Sequence, residues 1–418
     1  MNFLVFTDDW GRHPSSCQHL MRFFLEEEKG HHVIWMNTIG TRTPRLDWIT
    51  FRRGLGKIFQ WMKWKSVEES DFVDVRPMIY HPLMIPWFRR PVERKLNRFL
   101  LQRGIRRALK NVHGPVTAVT TLPITADLIP KTGRDSHITR WVYYCVDDWS
   151  KWPGADGKTM EMMEKELLQK VDFVISAGAS LQERLKSYGR DSELLTHGVD
   201  LKHWGFCEDT EDPFSSAKHF PGEEYLGEKD PQAAVQKLPN DSYVKAFSSE
   251  LERPFYTFWG LIDERLDVPM ILRLANDISS GTIIIAGPDA SRTVVSELSH
   301  PRIFLPGKLK YKELPQLAKC SDVLIMPYRD IPVTRQMQPL KMTEYLASGR
   351  AAVMRRLPAC QTWAEAADLV EDAESFSQIA QLRAQTGLPE EQKNARKCIR
   401  FESWEEKSRK FEKMLLEQ

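Results

Sequence analysis

The chain has 418 residues, 42% of them hydrophobic and 28% charged, and a net charge of +2. That length is too great for one ordinary core and asks for two or three domains, and the composition is that of a soluble globular protein. Six cysteines (Cys17, Cys145, Cys207, Cys320, Cys360, Cys398) are scattered with no C-x-x-C pair, which argues against a zinc site or a disulfide framework and fits a reducing cytoplasm.

The chain opens on Phe3-Leu-Val-Phe6, a strand pattern without the basic leader of a signal peptide. The polar loop Thr7 to Pro14 follows, Ser15 or Ser16 is placed to cap a helix from Cys17 to Glu28, and His32 to Met36 reads as the next strand. This strand–loop–helix–strand opening is the start of a doubly wound sheet. From Arg42 to Lys110 the sequence carries 17 Lys or Arg against 6 Asp or Glu, interleaved with Phe59, Trp61, Trp64, Trp87 and Phe88. The stretch reads first as a solvated helical face. Its second reading is a contact for an anionic membrane surface or a charged acceptor, and no nucleic-acid motif accompanies it. No window has the apolar length of a membrane span, so any work at a membrane would be done from its surface.

Val116 to Thr121 and Trp141 to Val146 have the composition of buried strands. Helices are expected over Lys158 to Lys170 and Ser180 to Tyr188, and a first domain closes near Asp200. Residues 201–253 are acidic and turn-rich and read as a linker with an insertion. A second alternating series fills 254–400, with strands at Pro254 to Trp259, Thr282 to Ala286, Ile303 to Leu305 and Val323 to Met326. Residues 401–418 end the chain as an amphipathic helix. The expected architecture is α/β, two Rossmann-like doubly wound domains facing a cleft, with ligands beyond the C-terminal ends of the strands.

The most informative run is Met337 to Arg350. It follows the strand Val323 to Met326 and a polar loop, Tyr328 to Gln336, and it precedes the short strand Ala351 to Met354. It offers backbone amides at a helix start, with Lys341 in the first turn, and both suit a phosphate. Glu344 lies one turn further on, where a carboxylate can accept the two hydroxyl hydrogen bonds that a ribose offers. There is no G-x-G-x-x-G after the first strand, no Walker loop and no H-E-x-x-H, so dehydrogenase, kinase and zinc-hydrolase readings lack their residues.

Taken in order, these segments resemble the GT-B glycosyltransferases of the large group 1 type. Tyr256 to Leu261 with Gly260, Ile284 to Pro288, Phe304 to Gly307, Ser321 to Pro327 and Glu344 to Gly349 resemble the nucleotide-sugar-binding domain. Thr196 to Asp200 resembles the turn that closes the first domain. The family usually has a second glutamate eight positions before Glu344, and here that position is Gln336. Gln338, Pro339, Leu340 and Lys341 stand in place of a glycine-rich stretch, which is closer to the subset that makes bacterial surface polysaccharides.

The resemblance implies transfer of a sugar from a nucleotide-diphosphate-sugar donor to a hydroxyl of a saccharide or lipid-linked acceptor, in cell-surface polysaccharide or glycolipid synthesis. Gly260, Arg265, Gln338, Pro339, Leu340, Lys341 and Glu344 would then bind the donor, with the Arg265 guanidinium facing the diphosphate. Asp147 and Asp148, at the end of a first-domain strand, are the candidates for assisting the acceptor hydroxyl, Asp147 ahead of Asp148. Asp148 also suits the cap of a turn with Ser150. Gly11, Arg12 and His13 would touch the diphosphate or the acceptor. No cofactor or metal is expected, since helix amides and basic side chains meet the diphosphate charge. No nucleic acid is expected as a partner, and the expected place of work is the cytoplasm, peripherally at the inner face of the cell membrane. A nucleotide-sugar epimerase of the same fold and a degenerate nucleotide- or glycan-binding protein are the alternatives.

Overall fold

The computed structural model describes residues 1–11, 15–38, 76–130, 137–152, 155–206, 244 and 248–416. The chain divides into two compact units, Met1–His197 with Trp404–Gln418, and Gly198–Ser403.

The first unit is built on a seven-stranded sheet in the order β3-β2-β1-β4-β5-β6-β7. The strands are β1 Asn2–Thr7, β2 His32–Asn37, β3 Met78–Tyr80, β4 Val116–Thr120, β5 Ile138–Cys145, β6 Phe173–Ser176 and β7 Glu193–Leu194. All their pairings are parallel. β1 and β4 are apolar runs buried almost throughout, as a sheet covered on both faces requires. Ser15 caps the helix Ser16–Phe24, which stops sooner than its sequence pattern predicts and gives way to a single 3-10 turn, Glu27–Lys29. The last helix, Trp404–Leu416, packs on Ser16–Phe24. His19 stacks on Trp404 at 4.5 Å, Phe24 meets Phe411 at 6.1 Å, and Ser408 Oγ donates to the Leu20 carbonyl at 3.0 Å. His197 is buried beside Trp404, where burial and the nearby Lys407 push its pKa down to about 3. It is therefore a neutral packing group.

The second unit repeats the arrangement with six strands in the order β10-β9-β8-β11-β12-β13. They are β8 Phe255–Trp259, β9 Thr282–Ala286, β10 Ile303–Gly307, β11 Val323–Met326, β12 Ala351–Arg355 and β13 Asp368–Val370. Both sheets are thus doubly wound, and each reverses direction at its first strand, between β1 and β4 and between β8 and β11. Such switch points open a crevice at the strand ends. Residues 207–243, most of the expected linker and insertion, lie outside the described residues, as do 39–75 with the Trp61 and Trp64 part of the basic stretch. Among the described residues no helix is long and apolar enough to cross a membrane.

Candidate active site

At the switch point of the second sheet the strand-end loops are laced together by their backbones. Gly260 N donates to the Ala286 carbonyl at 2.9 Å, Gly287 N to Gly307 O at 2.8 Å, Asp267 N to Pro327 O at 2.8 Å and Arg329 N to Arg265 O at 2.8 Å. Gly287 has no alternative residue, since a Cβ there would stand 1.7 Å from the Gly260 carbonyl oxygen. Gly260 itself has φ +145°, and a Cβ on it would meet Lys341 Nζ at 2.8 Å. The bare glycine surface is the bed on which the lysine lies.

Lys341 sits in the first turn of the helix Leu340–Ala347, whose N-cap residue is Pro339 and which has no side-chain cap. Met342 N donates to the Pro339 carbonyl at 3.2 Å, and with no side-chain cap the remaining first-turn amides are left to be satisfied from outside the helix. The ammonium donates to Tyr328 Oη and lies 4.8 Å from the centre of the Tyr328 ring and 5.1 Å from that of Phe258. It forms no ion pair with any described residue. A half-buried cation held by aromatic faces and a phenol, with no carboxylate in direct ion-pair contact among the described residues, keeps charge available for an anion.

One turn on, Glu344 Oε2 accepts from Trp259 Nε1 at 3.0 Å. Burial pushes its carboxyl above the usual carboxylate range, against the pull of that hydrogen bond and of the Lys341 charge. Trp259 is itself fixed, stacked on Trp204 at 5.3 Å and edge-on to Tyr345 at 4.4 Å. The site therefore has an aromatic floor, one cation and one carboxylate. Gln338 and Leu340 are half-buried and Pro339 buried at the mouth of the same helix.

Arg265 is brought to these loops, but its guanidinium is engaged. Nε and Nη2 form a two-pronged pair with the buried Asp263 carboxylate at 2.9 and 2.8 Å, and Nη1 reaches Met337 Sδ at 3.4 Å. The stretch Tyr328 to Gln336, expected as loop, contains a helical turn, Pro332–Gln336. Pro332 sets its start and Thr334 Oγ1 accepts from Ile331 N at 3.1 Å. Gln336 ends that turn, half-buried.

In the first unit, β5 delivers Asp147 and Asp148 to its C-terminal end. Asp148 is buried and its Oδ1 accepts from Ser150 N at 3.0 Å and Ser150 Oγ at 2.5 Å, capping the turn Trp149–Lys151. Arg184 Nη1 lies 3.5 Å from the same oxygen. Arg184 is anchored in turn by the buried Glu164, at 2.6 and 2.8 Å, and Glu164 also accepts from Tyr143 Oη at 2.6 Å. Asp148 thus shapes the loop, while Asp147 is half-exposed beside it. Gly11, at φ +78°, has its N–H bonded to Gln18 Oε1 at 2.9 Å. Gln18 also donates to the Asp8 carboxylate, which accepts from Thr7 Oγ1 and Ser15 Oγ at 2.8 Å each. Arg12 and His13 lie outside the described residues. The sequence reading did not single out Asp8, Gln18, Glu164, Arg184, Trp259 or Tyr328. Their only sequence signal is position at or just beyond a strand end, or in the helix that follows one.

No family model matches the sequence. A Bacillus subtilis (strain 168) protein, provisionally named the teichuronic acid biosynthesis glycosyltransferase TuaH, is 36% identical over 104 residues. Those residues are 24% of this chain, and the chain spans only 26% of that relative's length. Among solved structures, sucrose-phosphate synthase from Thermosynechococcus elongatus superposes with a TM-score of 0.63 at 14% identity, over 99% of this chain and 98% of that one. Anabaena HepE in complex with UDP and glucose superposes with a TM-score of 0.62 at 11% identity, over 100% and 99%. This is the GT-B fold. In GT-B terms, the β8–β11 switch point belongs to the C-terminal Rossmann-like domain and the Asp147 loop to the N-terminal one.

Proposed function

We propose that this GT-B protein is a glycosyltransferase that moves a sugar from a nucleotide-diphosphate-sugar donor to a hydroxyl of a saccharide acceptor, in cell-surface polysaccharide synthesis. The observation that carries the reading is the Lys341 ammonium, held on the bare face of Gly260 by aromatic rings and in direct ion-pair contact with no carboxylate among the described residues. In this reading Lys341 and the first-turn amides of Leu340–Ala347 meet the diphosphate, and they stabilise it further as it leaves with added charge. Glu344 takes the ribose hydroxyls, and Gln338, Pro339 and Leu340 line the approach. Arg265 acts on the diphosphate only by loosening its pair with Asp263, so its part is secondary. No resident cofactor or metal is needed for these roles.

That HepE holds UDP and glucose supports a uridine diphosphate donor, and the teichuronic acid assignment of the Bacillus subtilis relative supports a polysaccharide product. Asp147 is the group proposed to assist the acceptor hydroxyl, with Asp148 and Arg184 fixing its loop and Gly11, Arg12 and His13 as further contacts. The acceptor is proposed to be lipid-linked, with the enzyme working peripherally at the inner face of the membrane. The test is release of nucleoside diphosphate from a panel of UDP- and GDP-sugars, with and without a lipid-linked saccharide extract. Acceptor-dependent release that Asp147→Asn abolishes while sparing UDP binding is expected. Full activity in Asp147→Asn removes it from the reaction, and conversion of the donor with no acceptor present points to an epimerase instead.

A further inference from the structure

The helix Pro91–Ala108 in the first unit buries only Asn97, Leu101, Ile105 and Ala108, one narrow seam against its sheet. Its opposite side mixes apolar and basic side chains, and the apolar ones are exposed. Val92, Leu96 and Phe99 are 76%, 44% and 57% exposed. Together with Lys95, Arg103 and Arg106 they recur every three or four residues, which puts all six within roughly 100° of the helix circumference. The segment leading into the helix adds Leu83 at 64% and Trp87 at 40% exposure. That segment is fixed to the helix. Asn97 Nδ2 donates to the Ile85 and Trp87 carbonyls at 3.0 Å each, its Oδ1 accepts from Ile85 N at 2.7 Å, and Pro82 packs so closely that a Cβ on Gly104 would stand 2.9 Å from it.

The charges around this apolar stripe have one sign. Arg89, Arg90, Lys95, Arg103, Arg106 and Arg107 are all exposed, and none forms an ion pair with a described residue. The single acid of the helix, Glu93, is used locally, accepting from Arg90 N at 2.8 Å. Arg94, which is neutralised, points elsewhere, to Asp127 at 2.6 Å and Glu166 at 2.5 Å.

We propose that this face of Pro91–Ala108, with Leu83 and Trp87 beside it, docks the protein on an anionic lipid bilayer. Three aliphatic and aromatic side chains on one exposed helical stripe are costly in water and suited to the boundary between headgroups and acyl chains. Guanidinium groups with no ion-pair partner among the described residues surround them and match lipid phosphates, and long basic side chains can reach the headgroups while the apolar groups sit deeper. A nucleic acid would use the charge but not Val92 and Leu96. The inference deepens the reading of a lipid-linked acceptor and rests on it for its purpose, whereas the surface itself stands on this helix alone.

The experiment is flotation of the full chain with vesicles of phosphatidylcholine, or of phosphatidylcholine and phosphatidylglycerol at about 7:3, an anionic fraction that gives a surface potential strong enough to read. The expected result is binding to the anionic vesicles only, weakening with salt. Arg103→Gln with Arg106→Gln should weaken it about 25-fold, at roughly fivefold per charge. Leu96→Ser with Phe99→Ser should weaken it at least tenfold and leave the residual binding more salt-sensitive. All four side chains are exposed and none belongs to the donor site, so melting temperature and UDP affinity should stay at wild-type values in both variants. Wild-type binding with both variants unchanged overturns this surface and leaves the membrane reading standing. No binding of the wild type to anionic vesicles overturns the membrane reading as well.

Discussion

Replacing Lys341 with methionine separates the lysine's part in binding from any part in folding. The ammonium touches Tyr328 Oη, the Phe258 and Tyr328 rings and the bare Gly260, and it has no ion-pair partner among the described residues. Methionine keeps the length and packs well against both rings, so the lost hydrogen bond and cation–π contacts are offset by removal of a half-buried charge that has no direct ion-pair partner among the described residues. The stability change should stay within about 1 kcal/mol of zero. A charge-assisted bond to a diphosphate is worth about 1.5–3 kcal/mol, which is roughly a 10- to 150-fold loss in affinity. The dry aromatic surroundings favour the upper end. Calorimetric titration with UDP and GDP, beside urea unfolding of both proteins, reads the two effects separately. An affinity within twofold of wild type at unchanged stability refutes the diphosphate assignment, and collapse of the fold makes Lys341 a structural residue.

Glu344→Gln should act on stability and binding in opposite directions. Burial raises the Glu344 carboxyl pKa, so from its ordinary value up to the raised one stability falls as pH rises, and that cost is present at neutral pH. The glutamine variant should melt higher at pH 7 and bind UDP about tenfold more weakly; a lower melting temperature with unchanged UDP affinity would count against the ribose role. Gly287→Ala places a Cβ 1.7 Å from the Gly260 carbonyl oxygen and must move backbone, so it should cost about 3 kcal/mol or more in urea unfolding. His197 is neutral in the fold, with a pKa near 3, and takes a proton once unfolded below its ordinary 6.5. Stability should therefore fall as pH drops from 6.5 toward 3, by up to about 1.4 kcal/mol per pH unit, and His197→Leu should flatten that acid-side slope in unfolding curves.

The strands at the heart of both sheets could be read from sequence because each is a short apolar run ending in glycine, proline or aspartate: Phe255 to Trp259, Thr282 to Ala286 and Val323 to Met326 are all buried. The edge strands Met78–Tyr80 and Asp368–Val370 could not. Three residues carry no period, and β3 is not even buried. The Lys341 helix start was legible for a similar reason, since its loop, lysine and closing Gly349 are contiguous. What surrounds the lysine was not, because Phe258 and Gly260 at the end of β8 and Tyr328 beyond β11 stand far apart in the chain and only the sheet order brings them together. Arg265 illustrates the limit of residue type as a guide. A guanidinium at that position suits a diphosphate, but the aspartate two residues earlier takes it first. Asp148 had its outcome written beside it, as an aspartate two residues before a serine caps a turn at little cost.

The central claim is that the β8–β11 switch point binds a nucleoside diphosphate through Lys341 and Glu344. A thermal-shift panel of nucleosides, monophosphates, diphosphates and nucleotide sugars tests it most directly, since a ligand of the folded state at 100 times its Kd adds about 2.7 kcal/mol. The expected result is a rise of several degrees with one diphosphate and its sugar conjugates, little with the nucleoside, and loss of the shift in Lys341→Met. No shift with any diphosphate or nucleotide sugar at millimolar concentration would contradict the claim.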